Sequence, residues 1–150
     1  MKLYLVQHGE ATSKEENPQR PLTEKGKKDV TKIANFLKKA NISINTIYHS
    51  SKKRSQETAS ILSSVLNESA SLEEKQISPN DPMGNIYGEI IARKDDLMIV
   101  GHLPHLAKLS SKLLIGDEGK QIIEFQQGSV VLLEKEENWK VRWFIIPELL

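Results

Sequence analysis

Three times along this 150-residue chain a short apolar run breaks into a polar corner and gives way to a segment of helical periodicity. That alternation most narrows the folds open to it. Lys2 to Gln7 is rich in strand formers and ends at His8-Gly9, Thr46 to His49 ends at Ser50-Ser51, and Leu97 to Val100 ends at Gly101-His102. After the first corner a polar loop, Glu10 to Gln19, leads through Arg20-Pro21 to Thr23, which is placed to cap a helix from Glu24 to Lys39. In that helix Val30, Ile33, Ala34 and Leu37 recur at three- and four-residue spacing with Phe36 beside them, and Asn41 is expected to end it.

The second corner offers Ser50 or Ser51 as the cap of a helix reaching about Leu66, with Ala59, Leu62, Val65 and Leu66 as its buried stripe and Arg54 in its first turn. The third is followed by Pro104 as a first-turn proline, a helix to Ile115, and Gly116 as its stop. Between them lie a weak strand near Lys75 to Ile77, the loop Pro79-Asn80-Asp81-Pro82, and a helix from Met83 to Arg93 in which Met83, Ile86 and Ile90 read as core. Ser129 to Leu133 and Val141 to Ile146 read as a terminal pair of strands, with Trp139 and Trp143 as packing or surface hydrophobes.

Strands alternating with helices, mostly too far apart for hairpins, imply an α/β fold of three layers, α/β/α, on a mostly parallel mixed sheet. In such sheets ligands sit beyond the carboxyl ends of the strands. His8, Ser50 and His102 all fall just past those ends, so three segments are expected to converge on one edge. Residues 1–150 are a length suited to one domain, since a chain of this size buries roughly two-thirds of its unfolded surface.

Composition removes several alternatives. There is no cysteine, so a nucleophile must come from Ser, Thr, His, Lys or a carboxylate. The 21 Lys and Arg residues against 20 Asp and Glu leave a net charge of +1, which gives no bias toward nucleic acid. Leu3 to Val6 is far short of a signal peptide's apolar region or a spanning helix, so no membrane association and a cytoplasmic location are expected.

The converging edge would hold His8, Arg20, Arg54 and His102 beside two helix N-termini. Helix starts present unpaired N–H groups, and arginine's planar fork matches phosphate oxygens, so phosphate is the natural guest. A neutral histidine there can attack phosphorus and form a covalent phosphohistidine that water later hydrolyses. A second histidine, if protonated, would neutralise charge on the transferring oxygens. Taken singly, each histidine reads as well as a surface or turn residue.

The segments "LVQHGEA", "RPLTEKG", "SSKKRSQETA" and "VGHLP", spanning residues 3 to about 104, together resemble the histidine phosphatase (phosphoglycerate mutase-like) superfamily, and specifically its small SixA-like phosphohistidine phosphatase branch. The resemblance implies a phosphoglycerate mutase-like fold, a metal-independent phosphatase without cofactor, and a signalling role. It also implies His8 as nucleophile, with Arg20, Arg54 and His102 in the phosphate pocket. Two positions depart from the family's pattern. Its first arginine is Gln7 here, which can hydrogen-bond a phosphate oxygen but brings no charge, and a charged contact is about twice as strong as a neutral one. The proline of its second-arginine segment is Ser51, an acceptable residue at a helix start.

The substrate implied by that branch is a protein phosphohistidine, such as that of a histidine phosphotransfer domain. Larger ester-cleaving members carry an acid for the leaving alkoxide, and Asp81 does not align clearly with it; a leaving imidazole demands less of such an acid. Two other readings stand beside this one: a small-molecule phosphomonoesterase of the same superfamily, and a phosphoprotein-binding module weakened in catalysis by Gln7. Glu10 either orients His8 or water, or is a solvent-facing loop carboxylate. His49 is expected to terminate its strand, and Lys52 and Lys53 to face solvent or steer a partner. His102 and His105 form an H-x-x-H pair, but they straddle a corner with no third ligand nearby, so no metal is expected and His105 reads as an exposed first-turn residue.

Overall fold

The computed structural model describes residues 1–150. Six strands, β1 (Lys2–Gln7), β2 (Thr46–His49), β3 (Ser71–Glu74), β4 (Leu97–Gly101), β5 (Val130–Lys135) and β6 (Trp139–Ile145), form one sheet in the order β3-β2-β4-β1-β5-β6. The first four are mutually parallel, and β5 and β6 run antiparallel at the far edge. The helices are α1 (Glu24–Lys39), α2 (Lys53–Leu66), α3 (Gly84–Ala92) and α4 (His105–Ile115).

The alternation of side chains along each central strand divides the core in two. Leu3 and Leu5 of β1, Leu97 and Ile99 of β4, and Val131 and Leu133 of β5 pack with Ile86 and Ile90 of α3 and Leu106, Leu109 and Leu113 of α4. Tyr4, Val6, Met98, Val100, Val130 and Leu132 face the other way, onto Val30, Ile33, Ala34 and Leu37 of α1 and Ala59 and Leu62 of α2. Strands buried on both faces read as unbroken apolar runs because both layers need apolar side chains. The three-layer α/β/α arrangement is the expected one.

Local details differ from expectation in instructive ways. Thr23 does cap α1, its side chain accepting from the Gly26 N–H at 2.9 Å, while Lys38 and Lys39 sit in the last turn, where cations suit the helix dipole. Asn41 follows the C-cap with φ 58°, and Gly116 ends α4 with φ 73°. Neither Ser50 nor Ser51 caps α2: Lys52 is the capping residue, with no side-chain bond, because the Ser50 hydroxyl is engaged elsewhere. Val65 and Leu66 are only half-buried, at the end of α2. Pro104 stands at the N-cap of α4 rather than inside its first turn.

The third strand lies at Ser71–Glu74, not at Lys75 to Ile77. It is an exposed edge strand with no apolar alternation, and Ile77 is buried in the segment that follows. His105, expected to be exposed, is wholly buried. The first turns of α4 bury His105, Leu106, Ala107 and Leu109 together, so the helix enters the core nearly all round and carries the imidazole with it. Trp143 packs on Tyr4 with ring centroids 6.2 Å apart, and Lys135 lies over Trp139, which fits packing roles for both tryptophans. No helix is long and apolar enough to cross a membrane.

Candidate active site

His8 is the first residue beyond β1, and its backbone is pinned from both sides. Its N–H donates to the Gly101 carbonyl at 3.1 Å, and Gly128 N–H donates to the carbonyls of Gln7 and His8 at 3.0 and 3.1 Å. Gly9 then turns the chain under α1, where a Cβ would lie 2.8 Å from Val30 and 3.0 Å from the Gly26 carbonyl oxygen. Close approach, not left-handed backbone, is what requires glycine there.

The imidazole of His8 is set in one tautomer. Its Nδ1 lies 2.7 Å from the Gly9 carbonyl oxygen, which can only accept, so Nδ1 carries the hydrogen and Nε2 keeps its lone pair. Burial lowers the pKa of His8 to about 4, the Gly9 bond opposing and the charges of Arg54 and Arg20 adding to the fall. The ring is therefore neutral at pH 7.

His102 follows β4, 1% exposed, with its ring centroid 5.0 Å from that of His8. Burial first, then the neighbouring His8 and Arg54, push its pKa to about 3, so the protein's own groups hold it neutral rather than cationic. Ser50, fully buried, accepts from the Lys52 N–H at 3.1 Å and lies 2.6 Å from His102 Nε2. Ser50 and Nε2 share one hydrogen, and Nδ1 of His102 is buried without a partner.

Arg54, in the first turn of α2, and Arg20, at φ 49° in the loop before α1, line one open cleft. Burial and the charge of Arg20 lower the Arg54 pKa. Arg20 Nε donates to the Thr12 carbonyl at 3.0 Å, Arg54 Nε has no partner, and no carboxylate pairs with either guanidinium. Two unpaired cations beside two neutral imidazoles are an arrangement that can hold an anion. Gln7 is 8% exposed, and its Oε1 is buried without a partner.

Other residues hold this arrangement, and Ser50, Glu57 and Thr58 among them carry roles that the sequence reading did not assign. Thr58 accepts from the Gly9 N–H at 3.1 Å and donates to the Arg54 carbonyl at 2.8 Å, tying α2 to the corner at His8. Glu57 accepts from the Leu22 N–H at 3.0 Å, which anchors the segment after Arg20. Both close the "SSKKRSQETA" segment, so their place in the motif was the available signal. Glu10 neither orients His8 nor stands free: its carboxylate accepts from the Thr23 hydroxyl at 2.6 Å. Asp81 accepts from the Ser78 N–H at 2.9 Å and closes a turn. His49 Nδ1 lies 2.8 Å from the Ser50 carbonyl, as a strand-ending residue. No group of three or more His, Cys, Asp or Glu side chains is placed to hold a metal ion.

The family model of the histidine phosphatase superfamily (branch 1) matches residues 3–77, half of the chain. The chain belongs to this superfamily. It is accordingly a phosphatase, a hydrolase by class. Among solved structures, the protein histidine phosphatase SixA complexed with tungstate superposes with a TM-score of 0.88 at 22% identity over 99% of each chain. The alpha-ribazole phosphatase from Shigella flexneri gives 0.74 at 16%, over 95% of each chain. Phosphoserine phosphatase from Entamoeba histolytica, bound to 3-phosphoglyceric acid, gives 0.68 at 15%, again over 95% of each. These likenesses are of fold. No curated protein matches the chain in sequence.

Proposed function

We propose that residues 1–150 form a single histidine phosphatase domain that dephosphorylates protein phosphohistidine through a covalent intermediate on His8. The observation that carries this reading is the His8 ring itself: neutral, its Nδ1–H held by Gly9, its Nε2 lone pair free, beside two guanidiniums without carboxylate partners.

In this reading Arg20, Arg54 and His102 hold the phosphoryl oxygens, with Gln7 as a neutral contact. Nε2 of His8 bonds to phosphorus as the P–N bond to the substrate's imidazole breaks. That imidazole leaves neutral when its other ring nitrogen carries a proton. Water then attacks the phosphohistidine at His8, releasing inorganic phosphate and restoring Nε2.

Substrate choice is supported by what lines the cleft. No carboxylate is among its lining residues, and Glu10 and Asp81 are bound elsewhere, which suits a weakly basic leaving imidazole better than an alkoxide. The structural neighbour SixA is by name a protein histidine phosphatase, in keeping with a phosphorylated protein partner such as a histidine phosphotransfer domain.

The test is acid-quenched labelling with a phosphorylated phosphotransfer domain. Wild type should release phosphate and show a transient acid-labile phosphohistidine at His8; His8→Ala should fold and do neither. Hydrolysis by His8→Ala at the wild-type rate would overturn the mechanism.

A further inference from the structure

The cleft over Arg20 and Arg54 has a volume of about 820 Å³. A water occupies about 30 Å³ of liquid, so a phosphoryl group of a few waters' bulk leaves most of this space to whatever carries it. Small-molecule pockets of this size are lined mainly by apolar and aromatic side chains. This one has no aromatic lining residue, and Pro18 and Pro79 are its only apolar side chains.

Its charge is equally one-sided. Lys14, Lys52 and Lys53 join Arg20 and Arg54 around the cleft, against no aspartate or glutamate. None of the three lysines is ion-paired. Lys53 reaches only the amide oxygen of Gln19, at 3.4 Å. Glu15 and Glu16 follow Lys14 on the same exposed loop but line no part of the cleft. On a chain of net charge +1, five cations around one opening are a local field, not a global one.

We infer that Lys14, Lys52 and Lys53 form a docking rim for acidic polypeptide flanking the phosphorylated residue, so that the enzyme selects its protein substrates by their surrounding negative charge. The inference deepens the phosphohistidine reading and rests on it for the identity of the central group. A protein surface suits the cleft better than a compact ligand because its walls offer mainly charge and hydrogen bonds, with Pro18 and Pro79 as the apolar exceptions. A nucleic acid strand fits less well, since no aromatic side chain is there to stack a base.

The test uses two peptides of equal length bearing a non-hydrolysable phosphonate analogue of phosphohistidine, one flanked by Asp and Glu, the other by Ser and Lys. Binding to the wild-type protein is measured by calorimetry at 25 and 200 mM NaCl. At low salt the acidic peptide should bind roughly tenfold more tightly, the combined effect of about three exposed charge pairs, and the advantage should shrink at high salt. Lys14→Gln/Lys52→Gln/Lys53→Gln should bring the preference below about threefold, and Lys53→Glu alone should weaken the acidic peptide more than the basic one. Equal affinity for the two peptides in wild type, or a preference untouched by salt and by these substitutions, would overturn the rim. A parallel turnover assay on phosphohistidine peptides separates the two proposals: no hydrolysis of either peptide would overturn the proposed substrate while leaving a measured acidic preference standing.

Discussion

Replacing His105 with leucine should blunt the acid sensitivity of the fold. His105 is 0% exposed, and neither ring nitrogen has a hydrogen-bond partner. Burial pushes its pKa down to about 4, partly opposed by the charge of Asp81 and reinforced by that of Lys108. Because the folded value is depressed, the unfolded chain takes up the proton first as pH falls. The stability owed to neutral His105 is therefore complete above about pH 6.5 and is lost progressively toward pH 4. At 1.36 kcal/mol per pH unit, the gap between 6.5 and about 4 amounts to about 3 kcal/mol in full, and to about 2 kcal/mol between pH 7 and pH 5. Urea unfolding of wild type and His105→Leu at those two pH values isolates the effect, because the other ionisable groups are present in both proteins and His105 enters the His102 shift only as a minor cause. Wild type should lose about 2 kcal/mol more than the variant. At pH 7 the variant should match or exceed wild type, since it removes two unpartnered buried nitrogens. Equal losses in the two proteins would mean that His105 accepts its proton in the folded state without a burial penalty.

Three further outcomes follow from the site and its supports. Gln7→Arg should tighten inorganic phosphate or vanadate binding by roughly tenfold, the advantage of a charge-assisted bond over a neutral one, and an unchanged affinity in a titration would mean that position 7 does not reach the anion. Ser50→Ala should lower kcat by about tenfold to a hundredfold with KM little changed, because His102 loses the hydroxyl that holds its Nε2 and so its ring orientation; wild-type kcat would refute that role. Gly26→Ala should destabilise the protein by about 1–3 kcal/mol, since a Cβ there would overlap the Glu10 carbonyl oxygen, and a wild-type Tm would show that the contact yields easily.

The parts legible in the sequence were those where local chemistry and tertiary packing agree. β1 and β4 are buried on both faces, so their unbroken apolar runs announced them, and the corners at His8 and His102 followed from where those runs stop. β3 was misplaced because an exposed edge strand reading Ser-Leu-Glu-Glu is specified by pairing with β2, a contact that no local pattern encodes. Ser50 looked like a helix cap because serine usually serves as one, whereas here its hydroxyl answers to a histidine 52 residues away. His105 was misjudged for a related reason: whether a helix dips into the core at its first turn depends on the angle at which it leaves the sheet. The sequence around Glu10 does not specify a partner, which comes from the position of Thr23 in the fold.

The strict alternation in β1 has a genetic consequence. Leu3 and Leu5 feed one half of the core, Tyr4 and Val6 the other, and His8 stands immediately beyond, with its register against β4 fixed from Leu3 opposite Leu97 to Gln7 opposite Gly101. Inserting or deleting one residue between Leu3 and Val6 would send the side chains on one side of the change into the wrong layer or slide His8 by one position along the edge. Substitutions in this strand can be absorbed one at a time, but its length cannot drift. Among descendants of this gene the spacing from Leu3 to His8 should therefore be held more tightly than the identity of any residue between them.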